Sequence, residues 1–98
     1  MEEIRKKWSH FLRTPFPSSA HEVNLDLEIL DTTIAGCITS LIRHNSLNRN
    51  KMAILETSIR ELIEKFENIP KDEKPYFQQL IHIGKLILKN RRDYIRSI

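Results

Sequence analysis

The sequence predicts an all-α fold, a compact four-helix bundle over residues 2–13, 25–44, 48–68 and 73–95, and three observations predict it. Apolar residues recur every three or four positions in each segment, the spacing that collects them on one side of a helix. The connections hold Pro15, Pro17, Pro70 and a run of Asn and Ser, residue types that end helices and favour turns. No segment alternates apolar and polar residues long enough to make a half-buried strand. With 98 residues the chain has room for one domain over 1–98, of radius of gyration roughly 13 Å, in which a loop over 14–24 joins the first helix to a three-helix remainder.

In the first helix Ile4, Trp8, Phe11 and Leu12 form one stripe, with Glu2 and Glu3 at the positive end of the helix dipole. Pro15 and Pro17 end it, because each biases the preceding residue out of the helical region and donates no amide to the ladder. The second helix begins near Asn24 as N-cap, carries Asp26 and Glu28 in its first turn and buries Leu27, Leu30, Ile34, Cys37, Ile38 and Leu41. The Asn- and Ser-rich connection over 44–50 offers Ser46, Asn48 or Asn50 as the next cap. Met52, Leu55, Ile59, Leu62, Ile63 and Phe66 then keep the helical period, with Glu56 to Arg60 and Glu61 to Lys65 as i,i+4 pairs on the polar side. Asp72 is the natural cap of the fourth helix, whose Pro75 falls in the first turn where a missing amide costs little. Tyr76, Phe77, Leu80, Ile81, Ile83, Gly84, Ile87 and Leu88 make its apolar face wide enough to meet two other helices, so it is expected at the centre. The last three helices are expected to run antiparallel to one another in sequence.

The formal charge of +3 is too mild to announce a nucleic-acid binder. Its distribution is more informative: the second helix is acidic, and the chain over 85–98 is basic. The lone cysteine, Cys37, rules out a disulfide within the chain and a cysteine-based metal cage, and fits a reducing compartment. Residues 1–7 lack the apolar run of a secretory signal, and no apolar run approaches the roughly 20 residues that span a bilayer. The expected location is the cytoplasm, with no membrane contact.

Gly36 and Gly84 are the only glycines, and both fall inside helices, where each costs about 1 kcal/mol relative to Ala. The expected compensation is a close crossing of the second and fourth helices at Gly36, Cys37 and Gly84. Cys37 reads as a small buried hydrophobe, since His44, two turns on at about 10 Å, is too distant to activate it. His10, His21, His44 and His82 form no HxxxH or HExxH pair, so no metal site and no cofactor are expected. Asp31 lies at the margin of a buried face and reads as a structural carboxylate, with the amides of the loop over 15–20 as expected partners. Phe16, between two prolines, either caps the core with Trp8 and Phe11, the favoured account, or is offered to a partner. Lys85, Lys89, Arg92 and Arg96 follow an i, i+4, i+7, i+11 pattern. They complement a helix C-terminus or line one face that meets phosphates or an acidic protein.

With no glycine loop, metal spacing or paired nucleophile and base, the chain is expected to have no catalytic residues and not to be an enzyme. The expected function is that of a non-catalytic interaction or regulatory protein, recognising a macromolecular partner or itself. Size and helical architecture alone offer a small intracellular immunity protein or antidote as one concrete form. The alternative is nucleic-acid binding through the basic fourth helix.

Overall fold

The computed structural model describes residues 1–17 and 25–96. Its helices are α1 (Glu2–Phe11), α2 (Leu25–His44), α3 (Arg49–Lys65), α4 (Lys74–Lys89) and the short α5 (Arg91–Tyr94), with a 3-10 turn at Phe66–Asn68. The fold is an all-α bundle, with a radius of gyration of 13.2 Å. The expected cap at Asn24 and the residues 18–24, including His21, lie outside the described residues.

Local chemistry explains where the helices stop. Asn45 takes φ 59°, the left-handed conformation that Asn tolerates, and ends α2. Asn48 caps α3 by accepting the Lys51 amide at 2.8 Å. The cap expected from Asp72 does not form: α4 starts one residue later behind Glu73, whose side chain makes no capping bond and is buried. The fourth predicted helix is also interrupted. The Asn90 side chain donates to the Leu86 carbonyl at 2.9 Å, the backbone turns at φ −109°, ψ 28°, and α5 starts in a new direction. That redirection carries the chain after α5 back to the α2–α3 connection. There the Leu47 amide donates to the Tyr94 carbonyl at 2.8 Å and the Arg96 amide to the Leu47 carbonyl at 2.7 Å. Leu47 is thereby fully buried in a segment that its Asn and Ser neighbours mark as a loop.

Polar contacts give the helix directions. Asp26, early in α2, lies 3.9 Å from Lys65 at the end of α3, and Lys51, early in α3, donates to Ser40 late in α2. The two helices are therefore antiparallel. Gly84 of α4 meets Ile59 of α3, and Arg91, just past the end of α4, binds Glu56, three residues earlier in α3, at 2.9 Å, so α3 and α4 are antiparallel as well. One member of each expected pair is thus drawn across helices: Glu56 holds Arg91 more closely than Arg60, 3.8 Å away, and Lys65 meets Asp26 in place of Glu61.

α4 packs against α1, α2 and α3, the central place its wide apolar face implies. Leu27, Ile34, Ile38 and Leu41 from α2, Leu55, Ile59 and Leu62 from α3, and Phe77, Leu80 and Ile87 from α4 are essentially inaccessible. An aromatic cluster closes one end. Phe11 lies 4.8 Å from Tyr76 between ring centroids, Trp8 stacks on Phe11 at 5.3 Å, and Phe16 meets Tyr76 edge-on at 5.4 Å and Phe77 at 6.0 Å. Phe16, partly buried, therefore packs against the core, as the favoured account expects. Leu12 and Ile63, expected in the buried stripes, are exposed instead, because α1 ends at Phe11 and Ile63 falls outside the α2- and α4-facing sides of α3.

The close crossing expected between the second and fourth helices is also corrected. A Cβ built on Gly84 would lie 2.6 Å from Ile59 Cγ1 and nearer still to its Cδ1, so Gly84 admits α3, not α2. Cys37 is buried with its Sγ 3.7 Å from the Lys51 carbonyl oxygen, also against α3. Among the described residues nothing lies within 4 Å of the would-be Cβ of Gly36, which is exposed.

Candidate functional site

The inward stripe of α1, Ile4, Trp8 and Phe11, anchors the helix on α4 and leaves its polar residues beside the seam. Between the two helices lies an open groove of about 850 Å³. Glu3, Lys6, Lys7 and His10 line it from α1, and Pro75, Gln78, Gln79, His82 and Ile83 from α4. Ile83 is buried and forms the apolar floor, while Lys6, His10, Gln78 and His82 are exposed. Two ammonium groups and two imidazoles thus face one carboxylate, with amide donors and acceptors from the glutamines between them. The groove suits acidic groups on an extended or helical segment, which would find cations at the walls and an apolar strip below.

The basic residues of the fourth predicted helix do not make one continuous face. Lys85 and Lys89 continue the exposed row of Gln78 and His82 along α4, extending the positive side of the groove. The break at Asn90 puts Arg92 on α5, and Arg96 lies beyond it, its Nε donating to Ser46 Oγ at 3.2 Å. The i, i+4, i+7, i+11 row is therefore divided between two helices and a bridge.

Asp31 makes a structural contact with a partner other than the one expected. The Tyr76 hydroxyl donates to Asp31 Oδ1 at 2.6 Å, tying the second turn of α2 to the first turn of α4. Burial pushes the Asp31 carboxyl above its ordinary value, opposed by this hydrogen bond and reinforced slightly by nearby Glu28. Burial, with the bond to Asp31, pushes the Tyr76 hydroxyl upward too, so it stays a donor. Burial also pushes the Cys37 thiol up, with Lys51 opposing, which leaves it protonated and poorly nucleophilic. By contrast, Arg91 holds the exposed Glu56 carboxyl below its usual value. Among the described residues no group of three His, Cys, Asp or Glu side chains could hold a metal ion, and no helix is long and apolar enough to cross a membrane.

A smaller groove of about 700 Å³ separates α1 from α2, lined by Arg5, Trp8, Ser9, Leu12, Thr39, Ile42 and Arg43. Arg5 closes it at one side through bonds to the Ile42 carbonyl at 2.9 Å and Asn45 Oδ1 at 2.7 Å.

The sequence points to no groove residue as part of a site: His10 and His82 read as scattered histidines, Glu3 and Pro75 as residues of helix starts, and Ile83 as part of the apolar face of the fourth helix. The signal present is the run Lys6, Lys7, His10 on one helix and Gln78, Gln79, His82 on another, each at helical spacing. Only the pairing of α1 with α4 makes one site of the two. No protein-family model, no curated protein and no solved structure matches this chain.

Proposed function

We propose that this chain is a non-catalytic binding protein that receives an acidic segment of a macromolecular partner in the α1–α4 groove. The observation that carries the reading is the convergence of Lys6, Lys7, His10 and His82 around one groove against Glu3 alone. Lys85 and Lys89 prolong the same positive side, so approach of an acidic protein is favoured before contact. The absence of catalysis is part of the proposal: Asp31 is engaged with Tyr76, and the Cys37 thiol is buried against backbone. A reducing cytoplasm suits a chain with one cysteine. A small antidote or immunity protein, which size and helical architecture bring to mind by analogy alone, would meet its target in this way.

Affinity capture from the native cell, followed by mass spectrometry, tests the reading when run beside a Lys6→Glu, Lys7→Glu double variant. The reading predicts an acidic protein recovered by the native chain and lost by the variant, with melting unchanged because neither lysine belongs to the core. Equal recovery by both chains would overturn it. Nucleic-acid binding is the alternative, supported by the exposure of Lys85, Lys89 and Arg92. The split of the basic row at Asn90 counts against it. Binding of a fluorescent duplex or single strand at low salt, falling steeply as salt rises, would favour that alternative.

A further inference from the structure

The outer face of α2 is the opposite of the groove. Leu25, Ile29, Thr32, Gly36, Thr39 and Arg43 follow one another at helical spacing and all are exposed. Leu25 and Ile29 are 67% and 55% accessible, and residues 32–42 carry no charge. Gly36 stands in the middle. It is a helix-interior glycine with nothing near its would-be Cβ among the described residues, so no packing among them offsets its unfavourable helix propensity of about 1 kcal/mol. On this side of α2 the charges at the two ends are opposite, Glu28 near its start and Arg43 and His44 at its end, since Asp26 is engaged by Lys65 and Asp31 by Tyr76.

We propose that a second copy of this chain docks on this face, the two α2 helices crossing antiparallel at Gly36. A two-fold interface requires a surface that complements itself. The α2 face does so about Gly36, since Glu28 and His44 are equally far from it along the chain, as are Ile29 and Arg43. In the antiparallel pair the acidic start of one helix lies beside the basic end of the other, and Ile29 of each copy packs along the aliphatic stem of the facing Arg43. Gly36 lets the two backbones approach at the crossing, and the uncharged centre is covered without desolvating an ion. The face lies away from the α1–α4 groove, so the inference does not depend on the function proposed above.

Sedimentation equilibrium over about 5–500 µM tests it, a range set by the weak affinity expected of a small interface. The native chain is expected to move from monomer toward dimer as concentration rises. Gly36→Glu is expected to weaken association at least tenfold while melting at the same or a higher temperature, because the site is open in the monomer and Glu is the better helix former. Glu28→Arg and Arg43→Glu should each weaken association, and the two together should restore it. A native chain that stays monomeric throughout would overturn the inference. So would a Gly36→Glu variant that associates like the native chain, or a double reversal no better than either single change. The Lys6→Glu, Lys7→Glu variant is expected to dimerise normally, which separates this result from the groove experiment.

Discussion

Gly36 and Gly84 both occupy the middle of a long helix, yet they stand in opposite surroundings. At Gly84 the side of α4 is pressed against Ile59 of α3, and the missing side chain is the space that lets the helices meet. At Gly36 no described residue approaches the side of α2. The same residue therefore records two different constraints: one satisfied inside the monomer, one pointing outward. A glycine in a helix marks a close approach only once the neighbouring helix is known, and an outward glycine with no internal neighbour directs attention to what lies beyond the chain.

The comparison is most easily broken at the α3–α4 crossing. Gly84→Leu is expected to lose about 2–3 kcal/mol in chemical denaturation, the upper part of the usual overpacking range, because the buried Ile59 side chain occupies the space the new side chain needs. A variant as stable as the native chain would show that α3 and α4 do not cross where Gly84 places them.

The inner side of α2 supplies the next test, since it is held by the Tyr76–Asp31 bond. Tyr76→Phe is expected to cost about 1–2 kcal/mol by leaving a half-buried carboxyl without its donor. Asp31 also predicts a pH effect. Its folded-state pKa is raised, chiefly by burial, so the native state holds the proton longer than the unfolded chain. Its contribution to stability is therefore greatest in acid and declines as pH rises from about 4 through the raised value. Asp31→Asn keeps an acceptor for the tyrosine and removes that decline, which thermal melts across the acid range would detect as a flatter profile.

The smallest effect sharpens the comparison at the outer face. Gly36→Ala, measured in dilute solution where the chain is monomeric, is expected to gain about 0.5–1 kcal/mol by improved helix propensity. A loss there would mean that something in the monomer already packs against Gly36.

Much of the core was legible from the sequence because a helical stripe is a local property. Leu27, Leu30, Ile34, Ile38 and Leu41 are read from their spacing alone, and all are buried. Leu12 and Ile63 continue their stripes in sequence but are exposed, since the stripe does not say where a helix ends or how wide a partner's surface is. The break at Asn90 was unreadable for a related reason. Asn is tolerable within a helix, and what turns the chain there is the return of residues 95–96 to Leu47, a contact nearly half the chain away. The groove was hidden in the same way, its two halves being ordinary polar faces until α1 and α4 are set side by side.

By itself the sequence determined the helices, most of their buried faces and the opposite charges at the ends of α2, because periodicity, capping and charge act over one or two turns. Only the tertiary structure decided that Gly84 admits α3, that Asp31 binds Tyr76, that Phe16 packs against the core, and that lysines and histidines from two helices share one groove. Those outcomes depend on which faces meet, and that choice is made by the summed burial of the whole chain, to which no single segment holds the answer.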